Sequence, residues 1–215
     1  MFEEVYFKYL NAKLNKIYSK NFYLNGRNPK GVFWNSDFNQ IKRIEELLDL
    51  ILKFPKGKKK LNIADVGCGY GAMYFFIKNK IKFKDILYQG IDINQNLIND
   101  CNSIFKDDSN FFIGDRPIHC VDYCIMSGTY NYTPTRKIKT WENYILLNLV
   151  NCLKMSKKGI VFNLQYSYPA KIKNNIFYAD PESIKNKISE KVEININYFQ
   201  SLYFPKDVIF YLLKK

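Results

Sequence analysis

The apolar positions of this chain recur in two different rhythms, and the rhythm changes mark its elements. From Asp37 to Lys53, Ile41, Ile44, Leu47, Leu48 and Ile51 follow one another at three- and four-residue steps, the spacing of one helical face. Ser36 stands where an N-cap would be, and Pro55-Lys56-Gly57 is expected to end the helix. Residues 1 to about 24 predict another helix, with Tyr6, Tyr9, Leu10, Leu14 and Tyr18 as its apolar positions. Between the two, Asn25-Gly26-Arg27-Asn28-Pro29-Lys30-Gly31 is too rich in turn formers for a regular element.

Beyond residue 60 short apolar runs alternate with helical patterns. Strands are expected at Leu61–Val66, Ile86–Ile93, Phe111–Ile113, Val121–Met126 and Gly159–Leu164, with helices at about 72–80, 94–105 and 141–155 between them. Strands separated by helices predict a parallel sheet covered on both faces. A loop with Pro169 leads to a short helix at about 182–189. The last two runs, Val192–Phe199 and Val208–Leu213, have no helix between them and are expected to pair antiparallel. The expected architecture is an α/β, Rossmann-like sheet with an antiparallel C-terminal hairpin. Residues 1–58 would form a helical extension over the ligand edge and 59–215 the main domain, one structural unit.

The stretch Leu61 to Ile77 joins a strand to a helix through Gly67-Cys68-Gly69-Tyr70-Gly71. Glycines there let the backbone turn tightly and a ligand come close, and the new helix offers unpaired N–H groups. A nucleotide-like cofactor is the natural occupant. Gly67-x-Gly69-x-x-Ala72 with Asp92 downstream fits the loose dinucleotide fingerprint of a dehydrogenase. Asp65 before the first glycine, Gly71 after the second and the terminal hairpin argue against that reading.

Composition narrows the picture less. The chain has 215 residues, 47% of them hydrophobic and 17% aromatic, enough to bury a core. Its net charge of +13 comes mainly from scattered lysines, the mark of a solvated surface. Five cysteines without a C-x-x-C pair, and one histidine, His119, argue against a zinc site and for free thiols. No metal is expected. No apolar run reaches the roughly 18 residues of a membrane span, and the first residues lack a signal-peptide layout, so the expected location is the cytoplasm.

Asp65-Val66-Gly67-Cys68-Gly69-Tyr70-Gly71, Gly90-Ile91-Asp92 and Gly114-Asp115, in this order and spacing, resemble a class I S-adenosylmethionine-dependent methyltransferase over residues 60–215. The resemblance implies a seven-stranded sheet whose last strand is antiparallel. It also implies S-adenosyl-L-methionine as cofactor and S-adenosyl-L-homocysteine as product. Asp65, Gly67, Gly69 and Gly71 would hold the methionine end, Asp92 the ribose hydroxyls, Ile93 the adenine face and Asp115 the adenine amine. Ser127 would lie near the cofactor's amino group.

A narrower resemblance rests on Pro29-Lys30-Gly31-Val32-Phe33-Trp34-Asn35-Ser36 with Gln40 and Arg43, on Ser127-Gly128-Thr129-Tyr130-Asn131, on Trp141, on Lys158–Asn163 and on Tyr178-Ala179-Asp180-Pro181. These look like small bacterial methyltransferases of surface-polysaccharide (capsule) gene clusters, some of which O-methylate a phosphoramidate precursor. Ile44 departs from that pattern, which has an aromatic there.

A neutral hydroxyl acceptor usually needs a general base. His119 precedes the fourth strand, so it is expected at the edge away from the ligand. Arg43, Asn131 and Tyr178 are the candidate catalytic residues on the acceptor side, beside Trp34, Tyr132, Gln165, Tyr166, Tyr168 and Asp180. With no evident base, the expected acceptor is a small anionic molecule, phosphorylated or nucleotide-linked, gripped by Arg43. RNA methylation is a second reading, weakened because Ser127-Gly128-Thr129-Tyr130-Asn131 replaces the Asn/Asp-Pro-Pro-aromatic motif. A non-catalytic cofactor-binding subunit is a third.

Overall fold

The structure, a computed structural model, describes residues 2–54, 60–106 and 110–215. The expected helix stop at 55–57 and the boundary at 58/59 lie outside the described residues. Two helices come first, α1 (Phe2–Asn25) and α2 (Asp37–Lys53). A short 3-10 turn, Pro29–Val32, sits between them where no regular element was expected. Asn28 makes it possible by accepting from the N–H groups of Lys30 and Gly31. Ser36 caps α2 as expected, its Oγ accepting from Asn39 N at 3.2 Å.

The alternating part follows as β1 (Leu61–Val66), α3 (Ala72–Lys78), β2 (Ile86–Asp92), α4 (Gln95–Ile104), β3 (Phe111–Ile113), β4 (Val121–Met126), α5 (Ile138–Lys154) and β5 (Ser156–Tyr166). Then come β6 (Lys171–Lys173), β7 (Ile176–Ala179), α6 (Pro181–Ser189), β8 (Asn195–Gln200) and β9 (Asp207–Leu213). The parallel strands lie in the order β3-β2-β1-β4-β5, and β9 adds antiparallel to β5 with β8 beyond it. This is the expected Rossmann-like sheet with an antiparallel C-terminal pair.

The period of two along each strand sends its side chains into two cores. In β4, Cys124 and Met126 join Trp141, Ile145, Phe162 and Phe210 beneath α5 and α6. Tyr123 and Ile125 face the other way, to Leu47, Leu48, Ile51, Met73 and Phe76 of α2 and α3. Strands buried on both faces explain why the apolar runs were nearly continuous.

One element differs from expectation. The stretch 171–179, expected as loop, is the ribbon β6–β7, which adds parallel to the end of β5 and makes the sheet nine-stranded. Its turn is Asn174-Asn175, with φ of +52° and +60°. A two-residue hairpin turn needs positive φ at both positions, and asparagine tolerates it best after glycine. The ribbon is also zipped to the loop after β4: Phe177 N donates to Asn131 O and Thr133 N to Asn175 O, both at 2.8 Å.

Candidate functional site

At the carboxyl end of β1 the chain turns over the end of β2. Gly67 N and Cys68 N both donate to Ile91 O, at 2.7 and 3.0 Å. Gly67 has φ +81°, and a Cβ there would lie 2.5 Å from Thr129 Cγ2. The turn therefore requires glycine on both conformational and steric grounds. Asp92 ends β2 and locks the arrangement: Gly69 N donates to its Oδ2 at 2.9 Å and Asn94 N to its Oδ1 at 2.8 Å.

Three carboxylates border this turn. Asp65 is buried and accepts from Tyr88 Oη at 2.8 Å. Burial pushes its carboxyl up to about 7, against the pull of the Tyr88 hydrogen bond. Burial also raises Asp92, to about 6, opposed by the N–H groups of Asn94, Gly69 and Ile93. Asp115 follows β3 and pairs with Arg116 Nε at 3.2 Å.

These groups line one cavity of about 110 Å³ that opens to solvent. Asp65, Gly67, Gly69, Asp92, Ile93, Asp115 and Ser127 all line it, so the structure brings together seven of the eight residues expected at the cofactor. The eighth, Gly71, is not among the lining residues; it precedes α3 with φ +80° and packs against Phe105, Phe111 and Cys101.

The expected acceptor-side residues do not gather there. Arg43 donates to both carboxylate oxygens of Asp207, from Nε to Oδ2 and from Nη2 to Oδ1, the latter at 3.1 Å. Its guanidinium also lies 3.7 Å from the centre of the Phe204 ring. Asn131 is buried and its Oδ1 accepts from Gln165 N at 3.0 Å, bracing the loop after β4 against β5. Tyr178 lies in β7, opposite Lys171, with the Lys171 ammonium 5.5 Å from its ring centre. None of the three lines the cavity. His119 is exposed and precedes β4, at the far edge of the sheet.

Trp34 is the one expected acceptor-side residue that lines the cavity; beside it, from the N-terminal segment and α5, stand residues given no site role from sequence: Leu14, Asn15 and Tyr18 of α1, then Val32, Gln40 and Ile44, then Tyr144 and Asn148. Trp34 packs flat enough on the loop after β4 that a Cβ on Gly128 would lie 2.6 Å from its Cζ2. Gln40 is buried, and its Oε1 accepts from Tyr70 Oη at 2.5 Å. A signal for the α1 residues existed in the sequence. Asn11, Asn15 and Ser19 recur every four residues beside the apolar stripe.

The lining suits an adenosyl amino acid. Three buried or half-buried acids offer hydrogen-bond acceptors of the kind that its ribose hydroxyls, adenine amine and ammonium group require. Asn15 Oδ1, Ser127 Oγ and Tyr130 Oη are shut off from water and have no hydrogen-bond partner among the described residues. Orphaned polar atoms beside a cavity are what a polar ligand satisfies.

No family model matches the chain. Over 145 residues it is 28% identical to Rv1506c of Mycobacterium tuberculosis (strain ATCC 25618 / H37Rv), a protein that carries the name of a methyltransferase; the match covers 64% of this chain and 86% of that one. Among solved structures, the N-methyltransferase NodS of Bradyrhizobium japonicum WM9, in complex with S-adenosyl-L-homocysteine, matches with a TM-score of 0.59 at 15% identity. That match covers 93% of this chain and 97% of NodS. A Leishmania major S-adenosylmethionine-dependent methyltransferase matches with a TM-score of 0.63 at 15% identity over 86% of this chain and 77% of its own. The Synechocystis PCC 6803 magnesium protoporphyrin IX methyltransferase with bound S-adenosylmethionine matches at 0.54 and 13% identity, over 82% and 80% of the two chains. These likenesses show that the chain has the fold of the class I S-adenosylmethionine-dependent methyltransferases.

Proposed function

We propose that the chain transfers a methyl group from S-adenosyl-L-methionine to an oxygen of a small precursor of a bacterial surface glycan. The observation that carries the methyl-transfer reading is the cavity at the Gly67–Gly71 turn, where three acids and three orphaned polar atoms meet. When bound, the cofactor supplies an electrophilic methyl group. The protein's own task is to hold donor and acceptor in line and keep water out.

Asp92 and Asp115 would hold the adenosine, and Asp65 with the turn the amino-acid end. Trp34, Val32 and Ile44, with Met73, wall the cavity with apolar surface, and Gln40 adds one amide. The segments that carry the narrower sequence resemblance, 29–36 and 127–131, meet at this cavity through the contact of Trp34 with Gly128. That juxtaposition supports a shared acceptor surface.

The grip on the acceptor differs from the one expected from sequence. Arg43 is committed to Asp207, and among the described residues no lysine, arginine or histidine lines the cavity. This lining supports a neutral reacting group, with any phosphate of the acceptor lying outside the cavity.

The test is a panel of sugar acceptors, each offered free, phosphorylated and nucleotide-linked, together with RNA, with the methyl-labelled cofactor. Label on a sugar oxygen is the expected result. Label on RNA, or on a phosphate oxygen, would replace this acceptor assignment.

A further inference from the structure

We propose that α1 is part of the cofactor site, and that Asn15 Oδ1 accepts a hydrogen bond from a ribose hydroxyl. The inference rests on the reading that S-adenosylmethionine binds in this cavity. Nothing in the glycine turn or its acids requires the N-terminal helix. Four observations bring it in.

The first is the state of Asn15 itself. It lines the cavity, and its Oδ1 is shut off from water with no donor among the described residues. An acceptor withdrawn from water without a partner is costly, so such atoms are normally found satisfied. Only a hydrogen-bond donor can satisfy it.

The second is where the helix is fastened. Asn94 N donates to Asp92 Oδ1, and the Asn94 side chain reaches back to α1. Its Nδ2 donates to Asn15 O at 3.1 Å and to Ser19 Oγ at 2.9 Å. Asn94 Oδ1 meanwhile caps α4 by accepting from Asn96 N and Leu97 N. One side chain thus ties Asn15 to the loop that follows the ribose acid.

The third is which acid each aromatic hydroxyl feels. Burial raises Tyr18, and Asp92 raises it further. Tyr130 and Tyr144 are also raised first by burial; Tyr130 feels Asp115, and Tyr144 feels both Asp115 and Asp92. Tyr18 lies one turn beyond Asn15 on α1. The Asn15 face of the helix therefore belongs to the Asp92 end of the cavity, Tyr130 to the Asp115 end, and Tyr144 lies between the two acids.

The fourth is chemistry. At the Asp92 end the cofactor offers two donors, the ribose hydroxyls. Asp92 already accepts from two N–H groups. A second acceptor on α1 lets each hydroxyl have its own.

The test is calorimetric titration of the full chain with S-adenosyl-L-homocysteine and with its 2′-deoxy and 3′-deoxy counterparts. Wild type, Asn15→Ala and Asn15→Asp are compared, and far-UV circular dichroism checks that each is folded. Removing one hydrogen bond is expected to cost about tenfold in affinity. Asn15→Ala should bind S-adenosyl-L-homocysteine about tenfold more weakly. It should also stop distinguishing it from one of the two deoxy analogues. Asn15→Asp keeps an acceptor oxygen and should keep the discrimination. Asn15→Leu repeats the measurement should the alanine variant lose structure. If the variants keep the wild-type ratios for both analogues, whatever their absolute affinity, the inference is wrong. A wild type that fails to bind S-adenosyl-L-homocysteine at all would instead overturn the cofactor reading on which it rests.

Discussion

Arg43 of α2 and Asp207 of β9 form a two-pronged ion pair, 164 residues apart in the chain. Their side chains are 12% and 2% exposed. Asp207 also accepts from Asn163 Nδ2 at 3.0 Å, and Asn163 Oδ1 accepts from Gly128 N at 2.7 Å. The pair therefore fastens α2 and the C-terminal strand to the loop that walls the cavity. Replacing Arg43 with alanine leaves a buried carboxylate with one amide partner. The expected loss is about 3 kcal/mol of stability. Denaturant unfolding measures it, and Arg43→Ala/Asp207→Asn should recover part of the loss. An unchanged midpoint with a raised KM for the acceptor would show that Arg43 serves the substrate instead.

The two acids raised by burial make cofactor binding pH-dependent. Asp65 sits near 7 and Asp92 near 6, above the ordinary carboxyl value of about 3.9. Between about pH 4 and 7 the folded protein holds protons that the unfolded chain has lost. Stability of the cofactor-free protein should therefore be highest near pH 4, as far as these groups decide it, and fall as pH rises to 7. A ligand that carries an ammonium group and ribose hydroxyls favours the ionised acids. Binding of S-adenosyl-L-homocysteine should then release protons near pH 6 and tighten with pH up to about 7. Calorimetry at pH 6 in two buffers of different ionisation heat reads the released protons, and equal heats in both would contradict this.

Trp34 and Gly128 provide an optical handle on the acceptor wall. Trp34 is half-buried against the Gly128 backbone, and Trp141, the chain's other tryptophan, is fully buried. Gly128→Ala places a methyl group 2.6 Å from Trp34 Cζ2, on a residue with φ +72°. The indole must move, and the variant should show shifted tryptophan emission and lowered methyl transfer. Cofactor affinity should change little, because the displaced ring lies on the acceptor side. Emission identical to wild type would argue that Trp34 is not held there.

His119→Ala should leave methyl transfer unchanged. The residue is exposed at the edge of the sheet away from the cavity, and its backbone N donates to Gln89 Oε1 at 3.4 Å. A tenfold loss of kcat with normal stability would restore it as a general base.

Much of the cofactor side was legible because it is local. Strand, turn and helix are continuous in sequence at Leu61–Lys78, and Asp92 and Asp115 each close a strand whose apolar run announces it. The ribbon at 171–179 was less legible. Lys171-Ile172-Lys173 and Ile176-Phe177 alternate over only a few residues, and Asn174-Asn175 is a weaker turn signal than Asn-Gly. The acceptor side was the least legible. Arg43 reads the same on paper whether it faces a phosphate or Asp207.

The sequence by itself determined the period of each element, the parallel order that helices between strands impose, and the glycine positions where a backbone turn admits no Cβ. Those follow from local sterics and from which faces must be buried. Only the tertiary structure decided which polar side chains meet. Arg43 finds Asp207, Asn131 finds Gln165 N, and Asn94 ties α1 to Asp92. Such pairings join elements distant in the chain, and a buried polar group takes whichever partner the packed fold presents, a choice no local pattern encodes.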